Sequence, residues 1–225
     1  MILIQVLSNE RMALNAPRLK PRTMKTVDFV ACDGFPCNGV DKKGYSIPGV
    51  EFDPSTIKAI MISEAVPADA ADNYYAPGDP LFQRTTVQAF NDAGLNVNSI
   101  GELLKSGFYF TTAIKCGKVG YGVQTGDVKT CSKLLERELD ELPNLRVALL
   151  MGDVAIKAFN EIARRKTGKW VIPSGSTYKI RGKPYCYGGI RVFPSYLQAG
   201  PSFFIEKSKR RMIAEDIVEA LMIIG

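Results

Sequence analysis

The chain has 225 residues, of which 46% are hydrophobic and 23% are charged, enough apolar material for the core of one domain. It has no histidine, and this excludes Ser-His-Asp triads, Cys-His dyads and any histidine general base. A net charge of +6 is compatible with a nucleic-acid partner but does not require one. Without a signal peptide or a long apolar run, a cytoplasmic protein with no membrane association is expected, in which the five cysteines serve as metal ligands or core residues.

The first 31 residues are expected to form the N-terminal arm of a single domain that spans residues 1–225. The arm contains a basic segment at 18–25, which is either a solvated surface or a contact to phosphates. Cys32 and Cys37 follow it in a loop that also contains glycine and proline. A Cys-x4-Cys loop of this kind lets two sulfurs converge on one metal site.

Four buried strands alternate with helices along the rest of the chain. The strands are apolar and rich in β-branched residues, and the helices repeat apolar residues at spacings of three and four. Strands are predicted at 57–63, 108–115, 145–151 and 190–194, and helices at 81–93, 127–142, 154–164 and the C-terminus. Residues 165–189 are basic and interrupted by glycine and proline, which is typical of an insertion or hairpin. The order of elements predicts a three-layer α/β/α fold around a central, mostly parallel, four-stranded sheet.

Two features lie where an open α/β sheet binds its ligands, at the carboxyl ends of the strands. Glu64 follows the first strand, and a loop at 195–202 follows the fourth. A solvated loop glutamate is the alternative interpretation of Glu64.

The last helix begins with a group of cations, Lys207, Lys209, Arg210 and Arg211. Cations at a helix N-terminus oppose the helix dipole, so helix stability does not explain them. Contact with phosphates would explain them, and a solvated face is the alternative.

Four of the five cysteines are placed so that they could share one ligand. Cys116 ends the second strand, and Cys131 opens the next helix and faces the same way as its leucines. With Cys32 and Cys37 they make a tetrathiolate set, which suits zinc or an iron–sulfur cluster; buried free thiols are the alternative. Cys186 lies in a strand-like segment and is expected to be structural.

Motifs in order along residues 30–220 resemble those of the iron–sulfur uracil-DNA glycosylases, the family 4 branch of their superfamily. The segment ISEAVP at 62–67 is similar to the family's GEAPG motif, and GDPLF at 78–82 is similar to its Gly-x-Pro-Phe segment. The strand TTAIKC at 111–116 resembles TNVVKC, and VFPSY at 192–196 resembles the start of VFPTYHP. A further cysteine opens the next helix after the same gap as in the family.

The resemblance implies that Cys32, Cys37, Cys116 and Cys131 are the ligands of a [4Fe–4S] cluster, with zinc as the alternative metal. It implies a brown protein with about four irons per chain. The first cysteine pair of the family is Cys-x2-Cys, so the longer Cys-x4-Cys of this chain must form a loop of different geometry.

The resemblance also assigns roles at a base-binding site. Glu64 would position or polarise the attacking water, and Phe82 would stack on an extruded base. Thr112 stands where the family has the asparagine that reads uracil. Gln198 lies near the position of the missing motif histidine, where it would stabilise the departing base. The same motifs supply further substrate-binding residues, Ala65, Ser195 and Tyr196.

These features predict a monomeric DNA glycosylase that hydrolyses the N-glycosidic bond of a flipped uracil or other damaged base during DNA repair. Because the asparagine and the histidine are absent, the alternative is a catalytically weak or inactive iron–sulfur protein of the same fold that binds nucleic acid. A third candidate is a zinc-stabilised α/β protein that binds a small nucleotide.

Overall fold

The computed structural model describes residues 23–120 and 122–225. Most of the basic segment at 18–25, and most of the expected N-terminal arm at 1–31, therefore lies outside the described residues. The strands are β1 Met24–Lys25, β2 Val40–Asp41, β3 Glu51–Phe52, β4 Ala59–Val66, β5 Phe108–Lys118, β6 Val147–Met151, β7 Tyr185–Tyr187 and β8 Ile190–Ser195. The helices are α1 Leu81–Asp92, α2 Ile100–Lys105, α3 Thr125–Asp140, α4 Asp153–Thr167, α5 Thr177–Ile180, α6 Ser202–Ile205 and α7 Lys207–Ile224.

The predicted fold class is confirmed: helices flank a central, mostly parallel sheet. Strands β5, β4, β6 and β8 lie side by side in that order and are parallel. Two short edge strands extend this sheet from the predicted four strands to six. β2 pairs antiparallel with β5, and β7 pairs antiparallel with β8. The sequence does not predict these two strands because segments of two or three residues show no periodicity.

The apolar residues of the parallel strands alternate between the two faces of the sheet. In β4, Ile60 and Ile62 pack with α3 and α4, whereas Ala59 and Met61 pack with α1, α2 and α7. Each face of the sheet is thus covered by helices. This explains why the central strands are buried along nearly their whole length.

The first central strand is longer than the sequence predicts, and this changes the position of Glu64. β4 runs from Ala59 to Val66, so Glu64 lies within the strand and not beyond its end. The extension forms because β5 offers pairing partners as far as Gly117, with a register shift between Ala65 and Val66. The carboxylate is therefore held by a hydrogen-bonded strand rather than by a loop.

The two later cysteines of the predicted set also lie inside regular elements. β5 continues through Cys116 to Lys118, because β2 pairs with its last residues. α3 begins at Thr125, so Cys131 lies in its second turn and not at its start. Asp127 in the first turn of α3 favours this earlier start, since a negative charge stabilises a helix N-terminus.

The segment at 165–189 follows from the end of α4, forms the short helix α5 and joins the sheet as β7, which makes a hairpin with β8. Among the helices formed by residues 23–120 and 122–225, none combines the length and the hydropathy needed to cross a membrane.

Candidate functional site

The carboxyl ends of the parallel strands bring several of the expected active-site residues to one edge of the sheet. In the register of the sheet, Ser63 lies beside Thr112, and Met151 lies beside Ser195. Glu64 is the next residue of β4, so its side chain points to the face opposite that of Ser63. The edge therefore presents a carboxylate towards α4 and a set of neutral polar groups towards α1.

Glu64 is held at both carboxylate oxygens. Its Oε2 forms an ion pair with Lys118 Nζ, and its Oε1 accepts a hydrogen bond from the backbone N–H of Val154 at 3.3 Å. Val154 lies in the first turn of α4, where the helix dipole favours a negative charge. A Cβ at Gly152 would lie 2.5 Å from Glu64 Oε1, so only glycine leaves room for the carboxylate. With 13% of its side chain exposed, Glu64 is fixed at the rim of the sheet and still reaches solvent.

Gln198 lies inside the protein and not at an open surface. It is fully buried, and its Nε2 lies 2.7 Å from Tyr74 Oη, 3.2 Å from Ser63 Oγ and 3.3 Å from Thr86 Oγ1. The hydroxyls of Ser63 and Tyr74 also bond to each other. The two amide hydrogens of Gln198 therefore have more acceptors inside the fold than they can serve. To donate to a departing base, the amide has to leave one of these partners.

Phe82 and Thr112 border this network and are themselves buried. Phe82 lies at the start of α1 with 7% of its surface exposed. Thr112 is 4% exposed and donates its hydroxyl to the carbonyl of Ile114 at 2.9 Å. The hydroxyl of Thr112 is therefore not available at the surface. Ala65, also buried, lies at the register shift of β4.

Tyr74 lies between the residues that were expected to bind the base, although the sequence analysis assigned it no role. Its ring meets Phe82 edge-on with the centroids 5.3 Å apart, and its hydroxyl contacts Ser63 and Gln198. Burial raises the pKa of Tyr74 to about 12, so the phenol stays neutral near pH 7. The signal in the sequence is the pair of tyrosines just before the Gly-x-Pro-Phe-like segment.

Ser195 connects the end of β8 to the last helix. It is fully buried and donates its hydroxyl to Asp216 Oδ2 at 2.5 Å. Asp216 Oδ1 in turn accepts a hydrogen bond from Arg181 at 2.8 Å. Burial raises the pKa of Asp216 to about 6, although Ser195 and Arg181 oppose the shift. Neither Arg181 nor Asp216 was expected to be functional; the signal in the sequence is that Asp216, unlike the other acids of α7, lies on the same face as Ile213 and Ile217.

Three of the four cations expected to hold DNA form ion pairs within the protein, although the pair of Arg211 with Glu215, at 3.6 Å, joins two exposed side chains. Lys209 pairs with Glu206 at 2.5 Å, and its Nζ lies 5.7 Å from the ring centre of Tyr196. Arg210 pairs with Asp92 of α1. These contacts fix the start of α7 against α1 and the loop that follows β8. They also reduce the charge that Lys209 and Arg210 offer to a phosphate.

Lys207 and Arg211 are exposed, and two exposed apolar side chains precede their helix along the chain. Phe204 and Ile205 of α6 are 43% and 79% exposed. Apolar side chains next to cations are the combination with which DNA-bending proteins separate a base step while they hold the backbone. The sequence analysis assigned no role to Phe204 or Ile205; their signal is an apolar pair directly before a cationic helix start.

The four predicted ligand cysteines line one cavity of about 310 Å³. Cys116 and Cys131 are each 6% exposed, Cys32 and Cys37 are half-buried, and all four are free thiols. The cavity lies between the end of β5, α3 and the loop that carries the first pair. In residues 23–120 and 122–225, no three histidine, cysteine or acidic side chains form a group that could hold a metal ion. The fold thus gathers the thiols around one space without forming a ligand sphere for a single ion.

Three thiols of this cavity, those of Cys37, Cys116 and Cys131, have raised pKa values and resist ionisation. Burial raises the pKa of Cys37 to about 12 and that of Cys116 to about 11, and it raises the pKa of Cys131 as well. Each neighbouring thiolate adds to the shift by repulsion. The backbone N–H of Lys115 already donates to Cys131 Sγ at 3.2 Å. Ionisation of the set therefore depends on a cation that replaces the protons.

A buried ion pair lies directly behind the cavity. Lys115 and Glu138 are 0% and 1% exposed, and their charged groups are in contact. Lys115 Nζ also donates to Thr111 Oγ1 at 2.7 Å and to the carbonyl of Thr112 at 2.6 Å. Lys115 thus contacts both sites, since its backbone N–H donates to Cys131 Sγ and its ammonium group donates to the carbonyl of Thr112.

The sequence model of the uracil DNA glycosylase superfamily matches residues 51–216. The match begins at β3 and ends within α7, and it contains Glu64, Cys116 and Cys131 but not the first cysteine pair. None of the curated proteins compared with the chain is significantly similar to it. This match identifies the superfamily but not a branch of it, so the resemblance to the iron–sulfur branch stays a prediction. Because the match covers well over half of the chain and agrees with the parallel sheet and its edge, the protein belongs to the uracil DNA glycosylase superfamily, whose enzymes act on DNA.

Proposed function

We propose that the protein is a DNA glycosylase that removes uracil or another damaged base from DNA. The observation that carries the proposal is the position of Glu64 in a chain of this superfamily. Its carboxylate lies at the carboxyl edge of a parallel sheet, held by Lys118 and by the first turn of α4, and it remains accessible to water.

The reaction breaks the N-glycosidic bond of a nucleotide that has been turned out of the base stack. The base leaves with the bonding electrons, and positive charge develops on the sugar. Glu64 orients the attacking water, and its negative charge stabilises the sugar. Lys118 and Val154 keep the carboxylate in place, so it does not have to reorganise during the reaction.

The base is held on the other face of β4. Phe82 stacks on it, and Thr112 and Ala65 border it. Because Tyr74 lies between Phe82 and Gln198, the ring of Tyr74 moves when the base enters. The amide of Gln198, freed from Tyr74, then donates a hydrogen bond to the departing base.

The DNA strand lies along the loop after β8 and the start of α7. Ser195 takes part through its backbone, because its hydroxyl is bonded to Asp216. Tyr196 contacts the substrate strand beside Lys209. The phosphates are held by four cations, Lys207, Lys209, Arg210 and Arg211. Phe204 and Ile205 occupy the space in the stack that the flipped base leaves.

We also propose that Cys32, Cys37, Cys116 and Cys131 bind a [4Fe–4S] cluster. The donor set fits, because four sulfurs line one space and a cluster takes one thiolate at each of four irons. Zinc, the alternative, needs all four sulfurs about 2.3 Å from one point, and within the described residues no three such side chains are grouped to hold a single ion. The four thiolates would hold the cluster and would thereby join the first cysteine loop to β5 and α3. The N–H of Lys115, which donates to Cys131 Sγ, would help to stabilise that thiolate.

The activity is tested with oligonucleotides that contain uracil, single-stranded and double-stranded. Glu64→Gln is expected to lower the rate of base release by about a hundredfold or more, since one preorganised electrostatic group is lost. The matched control is Glu102→Gln, an exposed glutamate at the start of α2. Undiminished release by Glu64→Gln would remove the proposed role of this residue.

A second candidate function is binding of nucleic acid without catalysis. Two observations favour it: Thr112 and Gln198 donate their hydrogen bonds inside the protein, and the chain has no histidine. This candidate predicts salt-dependent binding to DNA with no release of any base from a panel of damaged oligonucleotides. Release of one base from that panel would decide for the glycosylase.

A further inference from the structure

One long stretch of the chain carries positive charge alone. Between Glu161 and Glu206 the sequence contains no acidic residue. Five cations of this stretch pair with carboxylates of α3, α4 and α7. They are Arg164, Arg165, Lys166, Arg181 and Arg191. Its other lysines, Lys169, Lys179 and Lys183, are exposed and form no ion pair within the described residues. These three ammonium groups are available to a partner.

Two exposed aromatic rings stand among these free lysines. Trp170 is 54% exposed and Tyr178 is 74% exposed. Trp170 follows Lys169 directly, and Tyr178 precedes Lys179 directly. Aromatic rings interleaved with cations form the surface on which proteins bind single-stranded nucleic acid, since each ring stacks on a base while the cations follow the backbone.

Trp170 also lines a groove of about 350 Å³ between this segment and the first turns of α3 and α4. Asp153, on the wall of the groove, precedes Val154, whose N–H holds Glu64. The groove therefore borders the edge of the sheet at which Glu64 lies. The groove and the carboxylate are thus linked through the first turn of α4.

The acidic side chains at the groove do not oppose a polyanion, because each is neutralised locally. Asp153 pairs with Lys157 at 2.5 Å, and Glu161 pairs with Arg164 at 2.7 Å. The uncompensated charge of the surface is thus that of the lysines.

We propose that residues 169–183 form a second DNA contact, which binds single-stranded DNA beside the base-excising edge. Trp170 and Tyr178 stack on bases, and Lys169, Lys179 and Lys183 hold the phosphates. Single-stranded DNA is the partner because the faces of its bases are open to the rings, whereas a duplex hides them. The choice of DNA rests on the proposed function, but the binding itself requires no damaged base.

Trp170 is the only tryptophan of the chain, so its fluorescence reports on this surface directly. We would titrate the full-length protein with a single-stranded DNA oligonucleotide that lacks uracil and other damage. Quenching of the tryptophan emission is expected as bases stack on the indole. Tyr178→Ala should weaken binding about fivefold or more. Lys179→Ala should reduce the dependence of log K on log salt by about 0.7.

Matched controls come from exposed residues outside the segment. Met222→Ala removes an exposed apolar side chain of α7, and Lys105→Ala removes an exposed lysine of α2. Both should bind the oligonucleotide as the unmodified protein does. Trp170→Phe keeps an aromatic ring and should retain most of the affinity, measured by the fluorescence anisotropy of a labelled oligonucleotide because this variant has no tryptophan, and this separates stacking from loss of the fold. Unquenched emission, or unchanged affinity in Tyr178→Ala and Lys179→Ala, would overturn the proposal.

The outcome is distinguishable from that of the glycosylase test. Quenching without base release would leave this contact standing and remove the proposed activity. Base release without quenching would support the proposed activity and remove this DNA contact. If both hold, Tyr178→Ala should raise the KM for single-stranded substrate and leave kcat unchanged.

Discussion

The carboxylate of Glu64 occupies the space that a side chain at position 152 would fill, since a Cβ there would lie 2.5 Å from its Oε1. Gly152 also has a φ of +100°, which a residue with a side chain adopts only under strain. We expect Gly152→Ala to displace Glu64 from the N–H of Val154 and to cost about 1–3 kcal/mol of backbone strain. Base release should fall at least about tenfold, because the carboxylate loses its fixed position.

Gly101→Ala is the matched control for this substitution. Gly101 lies in α2, and its nearest neighbour to an added Cβ is Ser99 Oγ at 3.7 Å. Both the rate of base release and the melting temperature should remain close to those of the unmodified protein. A Gly152→Ala variant that retains full activity would show that the position of Glu64 is unimportant for the reaction.

The hydrogen bond between Tyr74 and Gln198 is expected to stabilise the fold and to slow base release. Tyr74→Phe removes the hydroxyl that lies 2.7 Å from Gln198 Nε2, at an expected cost of about 1–2 kcal/mol in the free energy of unfolding. The amide of Gln198 is then freer to reach a departing base, so the rate of base release should rise. Gln198→Ala should lower both the stability and the rate. Urea denaturation and single-turnover base release measure the two effects.

Tyr75→Phe provides the comparison for Tyr74→Phe. The hydroxyl of Tyr75 accepts a hydrogen bond from the backbone N–H of Phe110 at 3.0 Å and does not contact Gln198. Its loss should cost similar stability without any gain in rate. Equal rates in the two variants would mean that Gln198 does not act on the base.

The position of the active edge could be predicted from the sequence, whereas the orientation of its side chains could not. Short apolar runs separated by helices indicate a parallel sheet, and parallel strands end at a common edge. This places Glu64, Thr112 and Ser195 close together before any coordinates are known. Cys116 and Cys131 come together because they belong to a strand and to the helix that follows it, whereas the position of the loop with Cys32 and Cys37 does not follow from this pattern.

The hydrogen-bond partners at that edge depend on contacts between distant parts of the chain. Gln198 is bonded to Tyr74 and Ser63, more than a hundred positions earlier. Ser195 turns its hydroxyl towards Asp216, which the sequence shows only as one acid in a helix with several others. Local pattern gives the element and the face of a residue but not the rotamer that its long-range partners select.

The cysteine cavity should bind iron through all four of its thiols. Protein purified without exposure to oxygen is expected to be brown and to contain about four irons per chain. Cys116→Ser should lose most of the iron and the visible absorbance, because a buried ligand is removed. Cys186→Ser, which changes an exposed cysteine outside the cavity, should retain both. Colourless protein with one zinc per chain would decide for the alternative metal.

The ion pair between Lys115 and Glu138 should be costly to break from one side only. Lys115→Met leaves the carboxylate of Glu138 buried without its cation and is expected to destabilise the fold by about 3–5 kcal/mol. The double variant Lys115→Met with Glu138→Leu removes both charges and should be less destabilised than Lys115→Met alone. Urea denaturation of the single and double variants measures this difference. Additive losses would show that the two charges are not coupled.

Asp216 should make the protein more stable as the pH falls. Burial raises its pKa from 3.8 to about 6 in the folded protein, against the attraction of Arg181 and with some repulsion from Glu219. Between these values the folded protein binds a proton that the unfolded chain does not. The free energy of unfolding should therefore rise between about pH 7 and pH 4, by up to about 3 kcal/mol from this group.

Asp216→Asn removes this titration and keeps an acceptor for Ser195. The difference in free energy of unfolding between the unmodified protein and Asp216→Asn should therefore grow in favour of the unmodified protein as the pH falls from 7 to 4. Urea denaturation at steps of pH measures it. If the difference stays constant over this range, burial does not raise the pKa of Asp216 to about 6. The carboxyl is then either protonated already at neutral pH or titrates as it does in the unfolded chain.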